Sequence, residues 1–239
     1  MKEIFGDNIR ESVCESTIEN IKERIYKISP VALGVYFLVY LTWFALLEKY
    51  VDGRYLIHSW LDTKIPFMEI FIIPYMLWFG YVAVTMVYFC LKSRRDFVRT
   101  SLFLCLGMTI CLIIYTIFPS IINLRPTSFP RQNIFSYLVN FIYSVDTPTN
   151  VCPSIHCLNS IGIHIGIMKS EVLKNNKKVR VGSGILMVSI CLSTVFIKQH
   201  SIIDFFAAVI LSAFMYYIAY VLDWDKLLRR VIYKKTADK

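Results

Sequence analysis

Charged residues are scarce in this sequence. They make up 18% of the 239 residues, whereas 56% of the residues are hydrophobic and the mean hydropathy is +0.54. Ordinary soluble domains carry about 25% charged residues. The composition therefore argues against a soluble domain and predicts an all-α integral membrane protein that crosses the bilayer several times.

Three further features are missing. The sequence has no internal repeats and no low-complexity segments. No cleavable signal peptide is apparent, because residues 1–30 are charged throughout and lead directly into the first apolar run. The seven cysteines form no disulfide ladder, since Cys105, Cys111 and Cys191 fall within predicted spans. We therefore expect one compact membrane domain that is inserted by its first span.

Six apolar runs approach the ~20 residues that a helix needs to cross a bilayer. They cover residues 31–47, 67–91, 100–122, 149–168, 181–197 and 201–222. We predict a six-helix membrane bundle over residues 31–222, between an N-terminal arm (1–30) and a basic tail (223–239). A further apolar segment, Ile134–Val145, is too short to cross and is predicted to lie along the outer membrane face.

The distribution of basic residues predicts the orientation. Lys and Arg number 5 in residues 1–30, 4 in 92–99, 5 in 169–180 and 6 in 223–239, which is 20 of the 26. Because cytoplasmic loops carry an excess of Lys and Arg, we expect both termini in the cytoplasm of a cell-membrane protein. Anionic lipid headgroups at these sites account for the net charge of +9 better than nucleic acid does.

Two histidines and two cations fall at the predicted outer face. His200 and Asp204 are four residues apart, so the carboxylate can hold one imidazole nitrogen and leave the other as a nucleophile or base. Arg125, His156 and Lys198 are predicted at the same membrane level. In phosphate-ester chemistry one histidine attacks phosphorus, a second protonates the leaving oxygen, and cations neutralise the equatorial oxygens. The pattern therefore indicates phosphoryl transfer.

The order of three short motifs resembles that of the type 2 phosphatidic acid phosphatase superfamily. The motifs of this family are K-x6-R-P, P-S-G-H and S-R-x5-H-x3-D, within a six-span helical core. The residues that fit them are Arg125 and Pro126, then Pro153, Ser154 and His156, then Ser193, His200 and Asp204. The resemblance covers residues 118–204.

The resemblance implies a phosphatase-like four-helix core and a lipid phosphatase that needs no metal and no other cofactor. His200 would form a phosphohistidine, Asp204 would orient it, and His156 would be the general acid. Arg125 and Ser154 would bind the phosphate. The expected partners are membrane lipids, with a lipid phosphomonoester or pyrophosphate of the outer leaflet as the substrate.

Three positions depart from the family pattern. Phe118 stands in place of the first Lys, Ile155 in place of Gly, and Thr194 in place of the Arg that precedes the nucleophile. Two phosphate-binding cations are thus replaced. Lys198 is the predicted substitute, because it lies two residues before the nucleophile at the positive N-terminal end of the last helix. Arg131 is the next candidate.

Three alternatives stay open at this point. A lipid headgroup phosphotransferase, similar to the enzymes that make inositol phosphoceramide or sphingomyelin, would use a lipid hydroxyl instead of water as the acceptor. The Lys-Gln-His form of the third motif and the replaced cations lie nearer to that branch. A non-catalytic lipid transporter would not need the His-His-Asp set. A zinc site of Cys152, Cys157, His156 and His200 has suitable ligand types but wide separation in sequence.

Overall fold

The long apolar runs fold as helices in the computed structural model, which describes residues 15–21, 23, 30–224, 226–227 and 229. The helices are α1 (Pro30–Tyr50), α2 (Trp60–Lys64), α3 (Ile72–Lys92), α4 (Arg94–Ile117), α5 (Ile134–Val145), α6 (Ile155–Lys169), α7 (Lys177–Phe196) and α8 (Ile202–Tyr216). A 3-10 turn, Glu69–Phe71, leads into α3, and a π-helical turn, Tyr217–Val221, continues α8. Most of the predicted N-terminal arm and basic tail lies outside the described residues.

Five helical segments are long and apolar enough to cross a membrane. They are Val31–Tyr50, Glu69–Lys92, Arg94–Ile117, Lys177–Phe196 and Ile202–Val221. The predicted all-α membrane bundle is confirmed at this level. The predicted span 149–168 differs, because the helix begins only at Ile155, with Ser154 as its N-cap. At 1.5 Å per residue, its 15 residues extend for about 22 Å, so a sixth span stays a prediction.

Helix α6 lies at the centre of the bundle. It packs against α3, α4, α7 and α8 and buries Leu158, Ile163 and Ile167. Gly166 allows this close packing, since a Cβ atom there would lie 2.6 Å from Thr100 Oγ1 on α4. The central position surrounds most of α6 with protein, so that its polar side chains can be held within the bundle.

Helix α5 has the bounds that the sequence predicts. Asn133 caps it, and its side-chain oxygen accepts hydrogen bonds from the N–H groups of Phe135 and Ser136. One face packs Val139 and Ile142 into a small core. The other face exposes large apolar side chains, namely Ile134, Tyr137, Phe141 and Val145. Its position along the membrane face stays a prediction.

A two-residue parallel pairing, which the sequence did not predict, joins the segment after α1 to the end of α4. Strand β1 (Tyr55–Leu56) pairs with β2 (Ser120–Ile121). Gly53 precedes this pairing at a place where a Cβ would lie 2.5 Å from Ile121 Cβ. Helix α2 follows β1 in the chain and contacts the junction of α7 and α8 through Asp62.

Candidate functional site

His200 and Asp204 are brought together at the start of α8. His200 lies in the short junction between α7 and α8, where it is 6% exposed, and Asp204 is fully buried in the first helical turn. His200 Nδ1 is 3.4 Å from Asp204 Oδ2, which also accepts a hydrogen bond of 2.8 Å from the Ser201 N–H. Because Nδ1 faces the carboxylate, Nε2 is the nitrogen left for chemistry.

The environment of His200 favours its protonated form. Burial of the imidazole opposes protonation, but the carboxylate of Asp204, 3.4 Å from Nδ1, outweighs it and raises the pKa of His200 above its ordinary value. Cys157 and Asp146 act in the same direction. The neutral ring, with its proton on Nδ1, therefore becomes the main form only at a higher pH than for a free histidine.

His156 lies beside His200, one residue into α6. The centroids of the two imidazole rings are 5.9 Å apart. Tyr75 and Trp78 of α3 flank His156, each with its ring centroid 4.5 Å away. In the described part of the chain no hydrogen bond involves either ring nitrogen of His156. Stacking therefore positions the ring, and its nitrogens stay free for a proton transfer.

Ser154 joins the second and third motifs. It is fully buried, and its N–H donates to the Asp204 carbonyl oxygen at 3.2 Å. Its hydroxyl accepts a hydrogen bond of 3.4 Å from the Cys157 N–H and caps α6. Ile155, at the position of the family Gly, adopts ordinary helical backbone. This departure therefore needs no left-handed conformation.

Arg125 reaches the residue next to His200. Its Nη1 donates to the Tyr143 carbonyl at 3.1 Å, and its Nη2 donates to the Asp146 carbonyl and to Gln199 Oε1, both at 2.6 Å. The guanidinium also lies 4.3 Å from the centroid of the Tyr143 ring. Arg125 Nε is buried and has no partner among the described residues. This donor and the second hydrogen of Nη1 are left for an additional acceptor.

Asp146 is a half-buried carboxylate that sequence reasoning missed. Its Oδ2 accepts hydrogen bonds of 2.9 Å from Tyr75 and from Gln199 Nε2. Burial raises the pKa of Asp146, although the positive charge of His200 opposes the rise. The residue ends α5 just before Thr-Pro, and no sequence pattern there marked it. It supplies a second negative charge near His200.

Lys198 is at the junction, but its ammonium group binds protein carbonyls. Nζ donates to the carbonyl oxygens of Asp62 at 2.7 Å and Ile65 at 2.6 Å, at the end of α2. Burial lowers the pKa of Lys198, while the charge of Asp62 opposes the change. An ammonium has three donors, so one remains. In this arrangement Lys198 fastens α2 to the α7–α8 junction.

Asp62 completes that fastening and was also missed. Its Oδ2 accepts from Ser201 Oγ at 2.6 Å, and its Oδ1 accepts from the Ile202 N–H at 2.9 Å. The sequence predicted that the N-terminus of the last helix would favour a substrate anion. The carboxylates of Asp62 and Asp204 occupy that position instead, since they satisfy its free N–H groups. Because Asp62 lies in α2, 140 positions before Ile202, no local sequence pattern indicates this contact.

Arg131 lies apart from the histidine pair. Its side chain is 76% exposed, and Nη1 is 3.3 Å from Oε1 of the buried Glu69. Asn133 Nδ2 donates to the same oxygen at 3.1 Å. No hydrogen bond or ion pair joins Arg131 to His156 or His200 within the described ranges. The structure therefore gathers His156, Ser154, Asp204, His200 and Arg125, with Lys198 beside them and Arg131 elsewhere.

The described residues do not provide the ligands for the zinc site that was considered as an alternative. Among the residues that the structure describes, no three His, Cys, Asp or Glu side chains are grouped so that they could hold a metal ion. Cys157 Sγ instead lies 3.6 Å from Oγ1 of Thr194, a weak hydrogen bond between the second motif and the position of the family Arg.

Comparison of the chain with models of protein families, with curated proteins and with solved structures gave no match. The resemblance in the three motifs therefore stays a prediction from their residues. Support for a function comes from the positions of the side chains described above.

Proposed function

We propose that the protein is an integral membrane lipid phosphatase that hydrolyses a lipid phosphomonoester or pyrophosphate through a phosphohistidine. One observation carries the proposal: His156 and His200, 44 positions apart in sequence, have ring centroids 5.9 Å apart, and Asp204 holds Nδ1 of His200. A nucleophile, its orienting carboxylate and a separate proton donor are the groups that this reaction needs.

The steps follow from these positions. Nε2 of neutral His200 attacks phosphorus, the bond from phosphorus to the leaving oxygen breaks, and protonated His156 gives its proton to that oxygen. A covalent bond from Nε2 to phosphorus results. Water then attacks phosphorus, His156 takes a proton from the water, and the bond from Nε2 to phosphorus breaks. Free phosphate leaves, and the ring of His200 is neutral again. Asp204 stabilises the positive charge on the imidazole in both steps.

Arg125 is the proposed phosphate ligand. Its unpartnered Nε offers one charge-assisted hydrogen bond, while its two Nη atoms fix the guanidinium on Gln199 and Asp146. Ser154 supplies the N-terminal end of α6, where exposed N–H groups favour an anion. Lys198 donates to the phosphate through its third N–H. All three N–H groups become available to the phosphate when α2 moves away.

The membrane arrangement is part of the proposal. We infer that α6 acts as the sixth span within a phosphatase-like four-helix core, since its four neighbours shield it from lipid. The excess of Lys and Arg in residues 92–99 and 169–180 supports a cell-membrane protein with cytoplasmic termini. The histidine pair lies at the opposite end of α6 from residues 169–180, which corresponds to the outer face.

A lipid phosphotransferase is the second candidate. It would share every step up to the phosphohistidine and pass the phosphoryl group to a lipid hydroxyl. The burial of His200 favours it, because a nucleophile that is 6% exposed gives water little access to the intermediate. The fastening of α2 by Lys198 and Asp62 adds to this enclosure.

A panel assay tests both candidates. The purified protein is incubated with phosphatidic acid, polyprenyl pyrophosphate and sphingolipid-type phosphates, with and without a lipid alcohol, and free phosphate and new phospholipid are measured. Phosphate release supports the phosphatase, and new phospholipid that depends on the alcohol supports the phosphotransferase. If neither product forms from any lipid while labelled lipid moves between leaflets, the protein is a transporter and the proposal fails.

A further inference from the structure

A second polar region lies at the other end of α6. Here α6 ends and α7 begins, and the surface forms a cavity of about 580 Å³. Three cations, Lys174, Lys177 and Arg180, line it together with His164. At 1.5 Å per residue, His164 is about 12 Å along α6 from His156. The cavity is therefore separate from the histidine pair.

The charges around this cavity are not balanced. Lys174 Nζ lies 2.8 Å from Oε2 of Glu171, so one of the three cations has a carboxylate partner. Arg180 donates to the Lys174 carbonyl at 2.9 Å, a neutral acceptor that leaves its charge unpaired. Lys177 makes no side-chain hydrogen bond or ion pair with any described residue. Two unbalanced positive charges thus face one opening.

The wall of the cavity combines apolar side chains, such as Met168 and Ile185, with the imidazole of His164. Gly184 stands where a Cβ would lie 3.3 Å from Cε1 of His164, so the glycine leaves the imidazole at the surface of the cavity. His164 Nδ1 is fixed by Ser183 Oγ at 2.8 Å, and Nε2 is the nitrogen that remains. The basic rim supplies charge-assisted hydrogen-bond donors around this space.

An apolar stripe continues from the cavity along α7. Val181, Ile185 and Val188 are 52%, 65% and 49% exposed, and their spacing places them on one helix face. α7 is one of the helices long and apolar enough to cross a membrane. A phospholipid whose phosphate is held at the rim would thus place its acyl chains against this stripe. Free phosphate would make no contact with the stripe.

We propose that this cavity binds the phosphate group of an anionic phospholipid, with Lys177 and Arg180 around the headgroup and the acyl chains along Val181 and Ile185. The inference does not depend on the proposed catalysis, because the cavity shares no residue with the histidine pair. It assigns a lipid-binding role to basic residues that the orientation of the chain alone would explain only as general membrane anchors.

The test measures binding of dioctanoyl phosphatidylglycerol to the full-length protein in detergent by native mass spectrometry. This lipid is a phosphodiester and so is not a substrate of the proposed phosphatase. Dioctanoyl phosphatidylcholine controls for charge, and inorganic phosphate tests the alternative source. Each cation near a membrane surface contributes about a fivefold change in affinity. We expect about fivefold weaker phosphatidylglycerol binding for Lys177→Ala and about 25-fold for Lys177→Ala with Arg180→Ala.

Matched variants separate the cavity from general charge. Lys178→Ala removes an exposed neighbouring cation that does not line the cavity and should change affinity less than about twofold. Val181→Trp fills the cavity without a change in charge and should weaken binding, whereas Val188→Trp, farther along the stripe, should weaken it less. Circular dichroism and gel filtration check the fold of each variant.

Three results with the variants would overturn the proposal. One is wild-type affinity in the double Lys177 and Arg180 variant, and another is an equal loss in Lys178→Ala. The third is unchanged binding in Val181→Trp. Binding of inorganic phosphate without binding of phosphatidylglycerol would keep a phosphate site but overturn its assignment to lipid.

Discussion

The two ends of α6 treat positive charge in opposite ways. At the His156 end each cation has a carboxylate close by: His200 has Asp204, Arg125 has Asp146, and Lys198 has Asp62. At the other end Lys177 and Arg180 exceed the carboxylates and stand at an open cavity. The first end is preorganised and enclosed, whereas the second can accept an anion without rearrangement.

This difference explains what each end can do. A phosphate that enters the histidine end meets cations already engaged by protein oxygens, so it must displace some of those contacts, and only a favourable fit pays that cost. We therefore expect such a site to be selective. At the basic end, where solvent or lipid already screens the charges, we expect modest affinity and broad tolerance of different phosphates.

The largest expected difference between the two ends is in phosphoenzyme formation after removal of a histidine. His200→Ala should abolish phosphoenzyme formation, because no other group supplies the attacking nitrogen. His164→Ala, the matched change at the other end, should keep it. His156→Ala should still form phosphoenzyme slowly, and more readily from substrates with good leaving groups. The measurement is acid-labile label trapped from a radioactive lipid phosphate; label on the His200→Ala protein would contradict the assignment of the nucleophile.

Thiol labelling tests whether the two ends lie on opposite membrane sides. In a version of the chain without native cysteines, Thr127→Cys should react with a membrane-impermeant reagent added to intact cells, and Asn175→Cys should not. Both positions are exposed in the structure. Asn150, also an outer position by sequence, is 4% exposed and bonded to Glu48, and is a poor probe. Labelling at residue 175 alone would show that the chain has the opposite orientation in the membrane.

Lys198 separates charge stabilisation from positioning of α2. Removal of one fixed donor to a transition-state oxyanion costs about 10²-fold in rate, so Lys198→Ala should lower turnover by a similar factor and Lys198→Arg should partly recover it. Asp62→Asn removes a carboxylate from α2 but keeps its carbonyl on Lys198. It should reduce turnover less.

Hydrogen exchange in α2 gives the second readout. If Lys198→Ala only releases α2, exchange of residues 60–64 should rise together with the loss of rate, and Lys198→Arg should restore both. Full activity in Lys198→Ala would mean that the lysine does not replace the cation missing at Thr194. A loss of rate without faster exchange would place the ammonium on the phosphate.

The sequence allowed much of this frame to be predicted, for identifiable reasons. His200 and Asp204 are neighbours in the chain, and α5 is an apolar run bounded by polar Asn133 and Asp146, so local pattern sufficed. The start of α6 was predicted too early. The helix begins only at Ile155, because Pro153 and the residue before it favour extended backbone and Ser154 then caps the helix.

What could not be predicted depends on contacts between distant segments. Asp62 bonds to Ser201 and Ile202, at separations of 139 and 140 positions, and each group alone reads as an ordinary loop or cap residue. The engagement of Lys198 by α2 is of the same kind. Sequence reasoning predicted Lys198 at the outer membrane face but had no means to pair it with Asp62.

The smallest expected effect is a displacement of the pH profile by Asp204→Asn. The raised pKa of His200 means that the ring keeps its second proton above the ordinary value of about 6.5. Because attack needs the neutral ring, kcat/KM should fall as pH falls through that raised pKa, so the acid limb lies above pH 6.5. The stabilising contribution of the same ion pair is complete below the unfolded value and is lost as pH rises through the folded value.

Asp204→Asn tests the effect of the Asp204 charge on the pKa of His200. The amide oxygen can still accept the Ser201 N–H and cap α8, so the helix stays, but the negative charge is gone and burial then lowers the pKa of His200. The acid limb of kcat/KM should move to lower pH. Asp146→Asn, which removes the more distant carboxylate, should move it in the same direction by less. If the acid limb of kcat/KM stays in place in Asp204→Asn, a group other than His200 titrates in that pH range. The charge pairing of His200 with Asp204, by which the two ends of α6 differ, would then not control activity.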